Sequence, residues 1–343
     1  MVYFMVSIRS YISINFTKSF LIVFIPFFFI ISLIYLVQIS LLTAKIQITF
    51  PELLQLFSYY IPAIIFYALP ISFIASLSTS LLRLSGDNEL IALFASGYSV
   101  KKVLYPLWFI AFLFSILLLV VSLGAMPQSK QLYASFKHIK KEEMAFTVIP
   151  KELGQKFGNH YIYMESENNR FYQNMVIFSQ DRNNSNQIFV ADKGDIAKNN
   201  GIFSLTLFNG RGYTFTPDII QQIDYDKLIV YDTLSRTKYR FEPIKIYWKR
   251  ALVDVKRERR LWFFIFISLM PLLSLYIIAS FSIINPRYQK NRPFVVIGTI
   301  TLSFYTIASI LDKTGTIYTL VASIFFISLF GYILFNRTAS RYF

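Results

Sequence analysis

The sequence predicts an α-helical membrane protein, six transmembrane helices arranged three and three, with an all-β domain inserted between the halves. Three observations carry this. Of the 343 residues 55% are hydrophobic and 18% aromatic, and only 15% are charged, against about 25% in an ordinary soluble domain. Six stretches contain no Asp, Glu, Lys or Arg: Ser19–Ala44, Leu53–Leu82, Val103–Ser129, Leu261–Pro286, Pro293–Leu311 and Thr314–Asn336. Each reaches the roughly 20 helical residues needed to cross about 30 Å of hydrocarbon. Between the third and fourth lies a polar segment, residues 130–258, built of short runs with strand character.

The first span is too long for the apolar part of a signal peptide and no convincing small-residue cleavage site follows it, so it is expected to be retained. The fifth and sixth are separated only by Asp312 and Lys313 and are expected to form a tight helical hairpin. Positive charge gathers on the side of the N-terminus, at Arg9, Lys18, Arg83, Lys101, Lys102, Arg287, Lys290, Arg292, Arg337 and Arg341. The positive-inside bias therefore places both termini in the cytosol and the long polar segment on the far side. In that segment the runs Tyr161–Met164, Met175–Phe178, Gln187–Ala191, Ile202–Phe208, Lys227–Tyr231 and Tyr239–Phe241 are rich in β-branched and aromatic residues. Asn199-Asn200-Gly201 and Asn209-Gly210 read as turns between them. Short strands at such spacing fit a sandwich, a jelly roll or an open barrel.

Much chemistry is excluded. Without Cys there are no disulfides, thiolate metal sites or Cys nucleophiles. His138 and His160 are the only two histidines, too few for a His-rich metal centre, and both are expected to be ordinary side chains. A chain that is hydrophobic and carries a net charge of +15 is not intrinsically disordered. No GxxxxGK[ST] motif occurs, so the chain has no phosphate-binding loop. The spans also lack the buried carboxylates, Lys or His that ion-driven carriers place in the membrane. Energy for any uphill transport must come from a separate subunit.

The loop after the second span, Arg83-Leu84-Ser85-Gly86-Asp87-Asn88-Glu89-Leu90-Ile91-Ala92-Leu93-Phe94-Ala95-Ser96-Gly97, predicts a helix of about ten residues, roughly 15 Å long. Ser85 or Asp87 would cap its start and Gly97 its end. Its body is apolar, so something must cover Leu90, Ile91, Leu93 and Phe94: either lipid headgroups or a partner in which Glu89 is the polar anchor.

The pattern Arg83–Gly97 resembles the coupling loop of the LptF/LptG lipopolysaccharide-export permeases. So does Ile284-Asn285-Pro286-Arg287, which is closer to the LptF side, and so does the plan of three spans, an external β domain and three spans. Asn209-Gly210-Arg211 is the best matching fragment of the β domain. This resemblance implies residues 1–129 as spans 1–3 with a cytosolic coupling helix at about 85–97, residues 130–258 as a periplasmic jellyroll-like domain, and residues 259–343 as spans 4–6. It implies a bacterial inner-membrane permease paired with a second LptF/LptG-type permease, working with a dimeric LptB ATPase and handing lipopolysaccharide to a single-span LptC-like protein. ATP and Mg would belong to that ATPase, and no cofactor, nucleic acid or catalytic residue is expected here. Asp87, Glu89, Leu90, Leu93, Phe94 and Gly97 would carry the ATPase coupling.

Basic residues at the external mouth are candidates for a phosphorylated lipid headgroup: Lys45, Lys130, Lys313 and Arg260, with Lys256, Arg257 and Arg259 nearby. The plainer reading is snorkelling to bilayer headgroups. Phe27-Phe28-Phe29, Tyr59-Tyr60 and Phe325-Phe326 are either lipid-facing or lining for an acyl cavity. Alternative readings are another ABC-type lipid or lipoprotein export permease, a membrane-anchored lipid-modifying enzyme, or a scaffold.

Overall fold

A computed structural model describes residues 8–43, 48–145, 151, 155–157, 160–168, 171–180, 186–199, 202–216, 219–231, 241–284 and 293–339. The chain divides into two compact units, Met1–Tyr133 with Glu242–Phe343, and Ala134–Phe241. The first is helical. It comprises α1 (Ile8–Thr43), α2 (Phe50–Gly86), the short α3 (Glu89–Ala95), and α4 (Val100–Val120), which passes through a π-helical turn (Val121–Ala125) into α5 (Met126–Ala145), a helix that belongs to the second unit from Ala134 onward. After the β unit come the short α6 (Ile244–Lys249), α7 (Val255–Ser282), α8 (Pro293–Thr314) and α9 (Ile317–Arg337). Six of these helical segments are long and apolar enough to cross a membrane, in agreement with the six charge-free stretches.

Helices run past those stretches. α2 continues to Gly86 and α5 to Ala145, so residues 130–145, expected at the start of the β domain, are helical. Nor does Asp312-Lys313 make the hairpin turn. α8 extends to Thr314, leaving both charges in its last turn. The turn falls instead at Gly315-Thr316, where the Gly315 N–H donates to the Leu311 carbonyl at 2.9 Å and Thr316 caps α9.

α7 packs against α2, α4, α8 and α9, and α1 packs against α2 and α4. Both α2 and α7 carry fully buried serines, Ser72, Ser76, Ser78 and Ser85 on α2 and Ser268, Ser274 and Ser282 on α7. At the seam between them Ser78 and Ser282 share a hydroxyl hydrogen bond of 3.1 Å, and Ser85 donates to the Ser282 carbonyl at 3.1 Å. Small side chains allow close backbone approach in lipid, and hydroxyls there bond across helices. The π turn in the third span does the same against α7, with Ser122 3.0 Å from Ser268. Such a turn disturbs the regular backbone ladder, and here the Leu123 carbonyl accepts from the Trp248 indole N–H at 2.7 Å.

The second unit holds one antiparallel sheet: β1 (Gln155–Phe157), β2 (His160–Tyr163), β3 (Ser166–Asn168), β4 (Phe171–Gln180), β5 (Asn186–Asn199), β6 (Ile202–Phe215) and β7 (Ile220–Tyr231). Its order is β1-β2-β4-β5-β6-β7, with β3 paired beside β2 along β4. Neighbours in space are thus neighbours in sequence except at β4, whose one edge pairs with both β2 and β3. Alternate residues of β2, β4, β5 and β6 bury one apolar face through Ile162, Met175, Ile177, Ala191, Leu205 and Leu207, as period-2 strands require.

β5 ends and β6 begins on either side of the turn expected at Asn199-Asn200-Gly201, with Asn199 paired to Ile202, and residues 200 and 201 themselves lie outside the described residues. Asn209-Gly210 is no turn. It lies inside β6, and the register is the same on both sides, Phe208 with Lys193 and Gly210 with Ala191. Asn209 takes a left-handed conformation, φ 49°, which Asn tolerates in a strand kink as well as in a hairpin. Of the run Tyr239–Phe241, residues 239 and 240 lie outside the described residues and Phe241 is not in a strand.

Candidate functional site

At the end of the helical unit where α1 begins, α3 has seven residues and follows α2 after only Asp87 and Asn88. The expected caps are otherwise employed. Ser85 is buried and bonded to the α7 terminus; Asp87 closes α2, its N–H donating to the Arg83 carbonyl at 2.9 Å. The residue preceding α3 is Asn88, at φ 59°.

The C-terminus follows expectation. Gly97 adopts φ 83°, its N–H donates to the Phe94 carbonyl, and the Tyr98 N–H donates to that of Leu93. This pair of bonds closes a helix whose C′ residue is left-handed, and it selects glycine. Leu90 is 1% exposed, and Leu93 and Phe94 pack on the helical core. The protein's own helices therefore cover much of the apolar body. Glu89 is held from α1: the Tyr11 hydroxyl donates to its Oε2 at 2.7 Å. A groove of about 410 Å³ lies beside this contact, lined by Ile8, Tyr11, Glu89, Ala92 and Leu93.

A second cavity, about 350 Å³, is lined by Lys130, Arg260 and Asp312 together with Tyr35, Tyr59, Tyr60, Tyr67, Tyr133, Phe263 and Phe264. Lys130 interacts electrostatically with both Arg260 and Asp312. Ring contacts run from Tyr35 to Tyr60 at 4.7 Å and on to Tyr133 at 5.3 Å. Two of the four headgroup candidates thus meet in one place. Lys313 is exposed beside Asp312 and lines no part of this cavity, and Lys45 lies outside the described residues, as does the Asn285-Pro286-Arg287 motif.

Arg257 does not join the cavity. It pairs with Glu242 at 3.2 Å and Asp254 at 3.5 Å and sits 4.7 Å from the centre of the Tyr247 ring. Glu242 also pairs with Arg250, and its backbone is clamped by Gln131, whose amide oxygen accepts from the Glu242 N–H at 2.7 Å and whose amide nitrogen donates to the Glu242 carbonyl at 3.1 Å.

Sequence reasoning missed Asp312 as a cavity residue. Its signal was available, since an acid bordering a charge-free span is rare in this chain. Tyr59 and Tyr60 line the cavity, whereas Phe29, Phe325 and Phe326 are 62%, 60% and 66% exposed and belong to the outer surface.

In the β unit, Asn209-Gly210-Arg211 borders a third cavity of about 610 Å³ with Asp192, Asp224, Tyr225 and Asp226. Arg211 pairs with Asp224 at 3.5 Å, and the Tyr225 hydroxyl donates to the Val190 carbonyl at 3.1 Å. Burial pushes Tyr225 up to about 12. A side chain at position 210 would collide with the Val190 carbonyl and the Tyr225 ring, so glycine is required by close approach rather than by a turn. Among the described residues no group of His, Asp and Glu is arranged to hold a metal ion.

Among the described residues the geometry offers a short helix folded onto one end of a six-span unit and a mixed-charge aromatic cavity within that unit. A direct comparison with curated proteins finds no match. The family model for the lipopolysaccharide export system permease LptF/LptG matches residues 10–339, nearly the whole chain, and the chain belongs to that family.

Proposed function

We propose that this chain is the LptF-like half of an ABC-type lipopolysaccharide exporter in the bacterial inner membrane, with both termini cytosolic and the β unit in the periplasm. A second permease of the family would complete the pair, and a dimeric ATPase of the LptB kind would supply ATP and Mg²⁺. Motion enters through Asp87–Gly97: α3 is too short to be stable alone and moves with the helices on which Leu90, Leu93 and Phe94 rest. The lipid leaves through the jellyroll-like β unit toward a single-span LptC-like partner. At the membrane, Lys130 and Arg260 would pair with phosphate on the headgroup while the tyrosines shield its first carbons.

The observation that supports this best is Glu89, which α3 presents on an apolar groove with a tyrosine holding its carboxylate. Glu89→Lys reverses that charge without disturbing buried Leu90. The expected result is a membrane-inserted protein that no longer co-purifies with its ATPase and leaves lipopolysaccharide in the inner membrane. An ATPase still bound, with normal export, would overturn the role of this loop.

The cavity is tested separately by Lys130→Ala with Arg260→Ala. A charge-assisted hydrogen bond contributes about 1.5–3 kcal/mol, so lipopolysaccharide recovered with the purified protein should fall at least about tenfold. Unchanged recovery, measured by mass spectrometry, would assign the lipid to another surface.

A further inference from the structure

The chain re-enters the helical unit through an unusual segment. α6 is followed by a single 3₁₀ turn, Arg250–Leu252, and α7 starts at Val255, with the Asp254 carboxylate accepting from the Lys256 N–H at 3.0 Å. The inner side of this elbow is fixed. Trp248 donates to the Leu123 carbonyl in the third span and meets the Phe264 ring edge-on at 6.3 Å, and Ala251 is 2% exposed.

The outer side is apolar and bare. Leu252 and Val253 are 84% and 88% exposed, and Ile246 and Val255 are about half exposed. Flanking them are Lys245, Lys249 and Lys256, all exposed and in none of the ion pairs among the described residues. Arg250 and Arg257, by contrast, are held by Glu242.

The depth of this elbow follows from its contacts. Phe264 lies inside the charge-free run that begins at Leu261, and Leu123 lies inside that of the third span. Trp248, which touches both, sits at the edge of the hydrocarbon. Val255 is six residues before Leu261 on the same helix, about 9 Å further out, within the headgroup layer where interfacial helices bury their apolar faces.

We propose that residues 244–256 form a membrane-surface elbow: Leu252 and Val253 insert at the base of the headgroups of the adjacent leaflet, and Lys245, Lys249 and Lys256 bind anionic phospholipid phosphates around them. The elbow anchors the start of α7 at a fixed depth beside the Lys130–Arg260–Asp312 cavity. It depends on α7 crossing the membrane and not on the cargo of the exporter.

The chain has no cysteine, so Val253→Cys gives one labelling site on the intact protein. With an environment-sensitive nitrobenzoxadiazole label in nanodiscs containing phosphatidylglycerol, the emission should be blue-shifted. Lipids with a nitroxide at the headgroup boundary should quench it at least threefold more than aqueous iodide does. Leu252→Cys should report the same, so that a local disturbance by one label does not decide the result. Lys245→Gln, Lys249→Gln and Lys256→Gln together should at least halve the lipid quenching in phosphatidylglycerol discs and leave it unchanged in phosphatidylcholine discs. Dominant iodide quenching at both sites would overturn the insertion. Protection from both quenchers would overturn it in favour of a polypeptide covering this surface. Equal behaviour of the Lys variants in both lipids would overturn the role of anionic phosphate.

Discussion

α1 and α2 look alike as sequence. They have 36 and 37 residues, and each carries a long charge-free stretch. In the folded chain they differ sharply: only 6% of the most apolar stretch of α1 is buried, against 67% for α2 and 61% for α7. The more hydrophobic helix is the more exposed one. α1 turns Ile22, Phe29, Leu33, Val37 and Leu41 outward, while α2 turns Ser72, Ser76 and Ser78 inward. In water, apolar area marks the interior. Lipid tails are as apolar as leucine, so burial in a membrane instead favours side chains small enough for backbones to meet and polar enough to bond across the contact.

That comparison is broken most severely by filling the seam. Ser282→Leu inserts a branched side chain where Ser78 lies 3.1 Å away, and overpacking of a closed interior costs about 1–3 kcal/mol. Ile22→Ala on the 74% exposed face of α1 should stay within about 0.5 kcal/mol in the isolated chain, as surface changes do. Unfolding in mixed micelles measures both. Equal losses would show that the seam is no more tightly specified than the periphery.

A smaller effect is expected at the end of the unit where the chain leaves and returns. Gln131 is 6% exposed and makes two hydrogen bonds to the Glu242 backbone. Gln131→Ala leaves that backbone N–H and carbonyl without these partners, at a cost of about 1–2 kcal/mol. Because the clamp joins residues 111 apart, its loss should also raise protease cleavage around residues 241–243, measured on the membrane-inserted protein. Unchanged stability and cleavage would mean that water replaces the amide and that specific polar pairing is confined to the seam.

These two sites mark the limit of what was legible in advance. The six spans were visible because the hydrocarbon excludes Asp, Glu, Lys and Arg over a full crossing, a constraint written on consecutive residues. Helix ends were not, because α2 and α5 continue past the charge-free stretches into Arg83–Gly86 and Lys130–Ala145, where nothing obliges them to stop. The β5–β6 turn was legible from Asn199-Asn200-Gly201, yet Asn209-Gly210 was misread. The same dipeptide serves a hairpin or a kinked strand, and only Val190 and Tyr225 on the neighbouring strands distinguish the two. Lys130 and Arg260 stood out as cations on the sparsely charged side, but Tyr60, Tyr133 and Asp312 join them only through packing of distant helices. The serine pairs were invisible for the same reason: Ser78 and Ser282 are separated by 204 residues.

The smallest expected effect is the sharpest test of how the seam works. Ser78→Ala removes one hydroxyl and keeps the close approach, so only the hydrogen bond to Ser282 is lost. Interhelical bonds of this kind in membranes average about 0.6 kcal/mol, several-fold less than the overpacking expected of Ser282→Leu. A double-mutant cycle with Ser282→Ala isolates the pair, and its coupling should equal that small value, because no other hydroxyl bond of Ser78 changes. Ser122→Ala with Ser268→Ala repeats the test at the π turn, where Ser268 also donates to the Phe264 carbonyl at 2.7 Å. Its hydroxyl proton is already committed there, so Ser122 must be the donor across the helices. Ser268→Ala should therefore cost more than Ser122→Ala, because it loses both the bond to Phe264 and the interhelical one and leaves Ser122 only its 3.3 Å bond to Leu119, whereas Ser122→Ala keeps the bond from Ser268 to Phe264. Equal costs at the two positions would mean that small size alone, and not the direction of the hydroxyl bonds, holds α7 against its neighbours.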